Sequence, residues 1–192
     1  MWTYSKKLQY PVNITKKDIQ MAKYIITQFG GSNGELAASL RYITQRYTMP
    51  DDKGKALLTD IGTEEFAHME MISAMVYQLL EGATIQEIKD AGLESHYTEH
   101  GFSLYPIDSN GVPFTVTYFA ATGDPVADLA ENMAAEQKAR SIYEHLMNLT
   151  DNPELLAPLS FLRQREIVHY ERFKELYDEY VEKYYQPDIK QC

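Results

Sequence analysis

Thiols are all but absent from this chain. Its one cysteine in 192 residues, Cys192, is the last residue, which excludes an intramolecular disulfide and a cysteine-based metal site. Long apolar runs are missing too. No stretch of about 18 apolar residues occurs, so no membrane-spanning helix is expected. The opening Met1-Trp2-Thr3-Tyr4-Ser5-Lys6-Lys7 lacks the apolar segment of a secretory signal, and synthesis in a cytoplasm without a signal peptide is expected. Positive charge is in short supply: 18 Lys and Arg face 28 Asp and Glu, a net charge of −10. That balance argues against non-specific nucleic-acid binding. Tyrosine is abundant, with 15 residues, suited to core edges and interfaces. The length fits one domain over 1–192 with a substantial core.

Four long helical segments are expected. Residues 1–14 read as an extended arm, because Tyr10-Pro11 disfavours helix. Thr15 to Asp18 resembles a capping box with Asp in place of Glu, and a first helix follows over about 16–48, with Ile25, Phe29, Leu36, Leu40 and Ile43 toward the core. Gly30-Gly31-Ser32-Asn33-Gly34 interrupts it, marking a bend, a break or a close backbone approach. Met49-Pro50-Asp51 ends that helix and a second runs over about 52–81. Thr84 and Glu87 form a capping box for a short helix ending near Gly92. Periodicity then fails over 95–123, a length suited to a long crossover between two helix hairpins. His96 and His100 lie in it and read as surface histidines, without a helical frame or an apolar face. Asp124-Pro125 and Asn152-Pro153 each pair a cap with a proline at the first helical position, opening helices over about 125–149 and 153–184. A polar tail occupies 186–192.

The chemistry lies in a motif that occurs twice. In Glu64-Glu65-Phe66-Ala67-His68, Glu65 and His68 fall on the apolar stripe Leu58, Ile61, Ile72, Val76, Leu79. A carboxylate and an imidazole three residues apart lie one turn apart on one face and reach a common point. Glu166 and His169 repeat the pair on the stripe Leu155, Leu159, Leu162, Phe173, Leu176, Tyr180. Glu35 precedes Glu65 by 30 positions, Glu136 precedes Glu166 by 30, and the second set is the first displaced by 101. Two hairpins related by a pseudo-twofold would present this set to one centre. It is the ligand pattern of a dinuclear carboxylate site in an all-α, ferritin-like four-helix bundle. Spacing alone makes Glu35, Glu65, His68, Glu136, Glu166 and His169 all candidate ligands. Tyr42, two turns past Glu35, returns to the ligand face, placed to hydrogen-bond a bound carboxylate or water.

Four glutamates carry −4 and two divalent cations +4, so the interior balances with neutral histidines. Oxygen and imidazole donors without thiolate suit manganese or iron. The residues by themselves thus imply a dinuclear redox centre, of either metal.

Several segments then resemble one family. Lys7-Leu8-Gln9-Tyr10, Gly30 to Glu35, Asp60 to Ile72, Val126-Ala127-Asp128-Leu129 and Arg165-Glu166-Ile167-Val168-His169 are similar to segments of the manganese catalases. The likeness spans nearly the whole chain and is greatest to the short spore-coat, cotJC-type members. The resemblance implies two manganese ions per subunit, held at the positions of Glu35, Glu65, His68, Glu136 and His169, with Glu65 bridging. It implies for Glu166 a proton-handling place beside the ligands, and for Tyr42 a phenol close to them. It also implies disproportionation of hydrogen peroxide to water and oxygen, homo-oligomers, and assembly with other proteins in a spore coat. Larger members carry an arginine beside the third-helix ligand, where this chain has Ala135. The competing expectations are a structural coat protein with a site of little activity, and a di-iron oxidase.

Overall fold

The computed structural model describes residues 7–184. Helices α1 (Ile19–Ile25), α2 (Thr27–Gly30) and α3 (Glu35–Gln45) together form the first leg of a bundle, closed by a 3-10 turn at Arg46–Thr48. The second leg is α4 (Asp52–Leu80). Short helices α5 (Ile85–Asp90) and α6 (Glu94–His100) begin the crossover, which includes a 3-10 turn at Val116–Tyr118; α7 (Pro125–Met147) and α8 (Pro153–Tyr184) complete the bundle. Among the described residues there is no β-strand, only an isolated bridge between Ile107 and Pro113. The fold is all-α, a ferritin-like four-helix bundle whose two hairpins, α3/α4 and α7/α8, are joined by a long crossover. No helix among these residues is long and apolar enough to cross a membrane.

The helix starts follow from local chemistry. Asp51 Oδ1 accepts from Gly54 N at 3.0 Å to cap α4, and Asp124 accepts from Val126 N and Ala127 N ahead of Pro125. Such caps contribute about 1 kcal/mol each. The capping box of α5 forms as expected between Thr84 and Glu87.

The first leg departs from expectation. It is not continuous over 16–48: α1 starts at Ile19, with Asp18 as its own cap. Thr15 instead bonds Glu154 of α8 at 2.8 and 2.9 Å. The glycine run breaks the helix, so that Glu35 is the first residue of α3. A Cβ on Gly30 would lie 2.2 Å from the backbone of Pro106, so the crossover passes where only glycine leaves room. The break also shifts the buried face. Leu36, Leu40 and Ile43 are half-buried, while Glu35, Ser39, Arg41, Tyr42 and Gln45 are buried. Ser39 bonds back to Leu36 O of its own helix, while the others reach the crossover and α7: Gln45 Nε2 donates to Ala120 O at 2.9 Å, and Asn132 Nδ2 to Gln45 Oε1 at 2.7 Å.

His96 and His100 do have a helical frame, since α6 brings their rings to 5.1 Å. His96 Nε2 contacts Ser103 O, and the His100 ring stacks on Tyr105 at 3.8 Å. Residues 7–14 run as an extended arm over α4 and α8: Gln78 clamps it through Val12 O and Ile14 N, and Tyr10 stacks on Phe161 at 4.9 Å. The start of the expected arm (1–6), the 186–192 tail and Cys192 lie outside the described residues.

Two apolar clusters fill the bundle. One joins Ile25, Met71, Ile72, Leu79, Leu159 and Leu162; the other joins Leu58, Ile61, Leu129, Phe173, Leu176 and Tyr180. On α4 and on α8 the charged pair falls between the residues given to one cluster and those given to the other. The carboxylates are therefore sealed from above and below by aliphatic and aromatic side chains.

Candidate metal centre

Glu35, Glu65, His68, Glu136, Glu166 and His169 all converge in this middle layer, each 2 % exposed or less. α3 and α7 contribute one glutamate each, α4 and α8 a Glu-x-x-His pair each. Glu65 sits at the midpoint. Its Oε2 is 2.7 Å from His68 Nδ1 and its Oε1 is 2.7 Å from His169 Nδ1, so one carboxylate faces both imidazoles. Glu35 flanks one of these, 3.8 Å from His68 Nδ1; Glu136 flanks the other, 3.7 Å from His169 Nδ1. Glu166 Oε1 stands 3.9 Å from His68 Nδ1. The imidazole rings lie 5.5 Å apart and nearly parallel, at 21°.

The electrostatics call for cations. Burial pushes Glu35 up to about 8, with repulsion from Glu65 adding to it. Burial likewise holds Glu166 well above the usual carboxylate range, and Glu35, Glu136 and Glu65 reinforce the shift. Burial also opposes ionisation of Glu65, but the two imidazoles outweigh it and hold that carboxyl below its ordinary value. Glu65 Oε1, Glu136 Oε2, Glu166 Oε1 and His169 Nδ1 are buried without a hydrogen-bond partner. Orphaned acceptors in a dry interior are costly, about 1–3 kcal/mol each and more for charged groups. Oxygen and imidazole lone pairs turned on common points fit a dimetal site, and the absence of thiolate among the donors suits manganese or iron. Among the described residues, Glu65, His68, Glu166 and His169 offer ligand atoms within 4.8 Å of one another.

Hydrogen bonds cross between the hairpins. Tyr42 OH donates to Glu136 Oε1 and Tyr143 OH donates to Glu35 Oε1, so each tyrosine holds the opposite hairpin's glutamate. Sequence reasoning missed Tyr143 as a site residue, although a signal was there: it is Tyr42 displaced by 101. Glu64 gave no signal as a solitary charge. It accepts from His169 Nε2 at 3.0 Å, from Arg165 Nε at 2.7 Å and from Gln9 Nε2 at 2.6 Å. Burial works against its charge, yet these bonds keep it firmly ionised. With Nε2–H committed to Glu64, the His169 lone pair is left on Nδ1, which faces Glu65. His68 Nε2 has no such partner; Glu64 Oε1 is 3.7 Å away.

A narrow cleft of about 10 Å³, room for one water-sized molecule, reaches the layer between α3 and α7. Glu35, Arg41, Tyr42, Ala135, Glu136 and Glu166 line it.

A sequence profile described as "Manganese containing catalase" matches residues 1–186. The chain belongs to the manganese-containing catalase family. Protein CotJC of Bacillus subtilis (strain 168) is 55 % identical over 175 residues, which cover 91 % of this chain and 92 % of that one. A probable manganese catalase of Clostridium acetobutylicum is 37 % identical over 166 residues, 85 % of this chain and 73 % of its own. Among solved structures, KatB, a manganese catalase from Anabaena, superposes with a TM-score of 0.87 at 30 % identity, covering 100 % of this chain and 86 % of that one.

Proposed function

We propose that this protein disproportionates hydrogen peroxide to water and oxygen at a two-manganese centre held by Glu35, Glu65, His68, Glu136 and His169, as a component of a bacterial spore coat. The observation that carries the reading is Glu65: one buried carboxylate whose two oxygens each stand 2.7 Å from a different imidazole Nδ1. Glu65 would be shared by a pair of ions, with Glu35 and His68 holding one and Glu136 and His169 the other. Two manganese ions held there would supply a two-electron redox couple, the chemistry that peroxide disproportionation needs. The protein's own groups do the rest. Glu65 keeps the two positions together. Tyr42 and Tyr143 fix the outer carboxylates by hydrogen bonds from across the bundle. Glu166 lines the cleft with an unpartnered Oε1 and is the carboxylate in position to take and return protons. The cleft reaches these groups with room for one water-sized molecule, and the apolar clusters flank the layer on both sides.

The spore-coat assignment rests on the likeness to short, cotJC-type members. Ala135, in a family whose larger members carry an arginine there, and the narrowness of the cleft favour a second reading: a coat protein in which the metal mainly stabilises the bundle. Oxygen evolution after hydrogen peroxide is added to manganese-reconstituted protein, with metal content determined on the same sample, separates the two. About two manganese per chain with vigorous evolution is the expected result. Two bound metals with negligible evolution would overturn the catalytic reading in favour of the structural one.

A further inference from the structure

Arg41 is the one strongly basic group lining the cleft, and its hydrogen bonding is incomplete. Its side chain is 3 % exposed. Guanidinium is permanently charged and carries five donors, so a buried one needs acceptors on several sides. Nη2 has one, Tyr118 O at 2.8 Å on the crossover. Nη1 is 4.0 Å from Glu131 Oε1, too long for a hydrogen bond. Nε is buried with no partner. The cleft that Arg41 lines is also lined by Glu35, Ala135, Glu136 and Glu166. The arrangement is one-sided: the position 101 residues on is Ile142. The tether to Tyr118 accounts for one end of the guanidinium; it does not explain a buried Nε donor without an acceptor on a residue that lines the cleft.

We propose that Arg41 is the ligand-holding residue of this cleft, its Nε–H binding small inorganic anions and peroxide as they reach the centre. The inference builds on the metal-site reading above but not on turnover. A planar donor with a fixed charge orients a diatomic or triatomic ligand, and a lysine ammonium would supply the charge without the Nε donor.

Azide is the probe. It would be titrated into manganese-loaded protein and followed by the Mn(II) electron paramagnetic resonance signal, for the parent, Arg41→Gln and Arg41→Lys. Metal content, melting temperature and, where oxygen evolves, KM and kcat would be measured on the same preparations. Arg41→Gln is expected to bind azide about tenfold more weakly or worse, the loss of one charge-assisted hydrogen bond, with metal content unchanged. KM should rise more than kcat falls. Arg41→Lys should fall between parent and Arg41→Gln. Unchanged azide affinity in either variant at equal metal content would overturn the proposal, as would a loaded parent that binds no azide. If Arg41→Gln does not fold, Arg41→Lys decides by the same criterion. Azide held through Arg41 in a protein that evolves no oxygen would keep this subsite and remove the catalase reading. Oxygen evolution with KM and azide affinity indifferent to Arg41 would do the reverse.

Discussion

Glu35, Tyr42, Glu65 and His68 of the first hairpin have their counterparts 101 residues on in Glu136, Tyr143, Glu166 and His169 of the second. Matched spacing did not give matched roles. Glu65 lies between both imidazoles, whereas Glu166 approaches only His68, at 3.9 Å. The groups behind the layer differ in kind. Glu64 corresponds to Arg165, and the two pair with each other at 2.7 Å instead of facing equivalent partners. Arg41 corresponds to Ile142, and the cap Asp51 to Asn152. A repeated motif thus tells where donors converge, not how each one sits in the layer.

The sharpest test of that asymmetry sets Glu65 against its counterpart. Glu65→Ala removes a donor from both positions, and manganese affinity should fall by more than about 100-fold, taking activity with it. Glu166→Gln should keep the metal while slowing oxygen release. Metal analysis after dialysis checks both, and full loss of metal from Glu166→Gln would make it a ligand instead. Glu64→Gln comes next: it weakens the acceptor behind His169 alone, so one position should bind metal about 10- to 100-fold less tightly. A metal titration that turns from one phase into two is the expected signature; a uniform weakening would show that Glu64 serves both histidines.

Tyr42→Phe and Tyr143→Phe probe the part of the pseudo-twofold that the structure preserves. Each deletes a buried hydrogen bond to a carboxylate, about 1.5–3 kcal/mol, or roughly 3–10 °C in melting temperature for a chain of this size. Calorimetry should give similar drops for the pair. The smallest effect concerns the caps. Hydrogen bonds from Tyr180 and from Gly54 N hold the Asp51 carboxyl below the usual aspartate value. Its folded pKa being depressed, Asp51 contributes stability above pH about 4, and that contribution fades as pH falls through the folded value. Asn152 has no such dependence. Melting curves between pH 5 and 3 should therefore show a flatter acid limb for Asp51→Asn than for the parent.

Much of this could be read from the residues. The bundle, its long crossover and all six convergent side chains followed from apolar periodicity and a doubled spacing, because helix geometry ties sequence distance to facing direction. Tyr42 was placed on the right face, though its partner, Glu136 of the other hairpin, depends on how the hairpins meet. The glycine run before Glu35 reads as a bend, a break or a close backbone approach, and the structure has both a break and a close approach; what the run does not reveal is the partner, Pro106, 76 residues away. Leu36, Leu40 and Ile43 misled because the break resets the helical phase. Nothing in the spacing singles out Glu64 or Arg41, because their roles rest on tertiary contacts to Gln9, Arg165, His169 and Tyr118.

The extended arm has a practical bearing. Gln9 donates to Glu64, and Glu64 holds His169. A protease nick or a bulky affinity tag near residue 9 would leave every candidate ligand in the bundle, yet disturb the acceptor that sets one imidazole's tautomer. Preparations differing only in how their N-terminus was handled would then differ in metal loading, and specific activities compared between them would be measuring the tag.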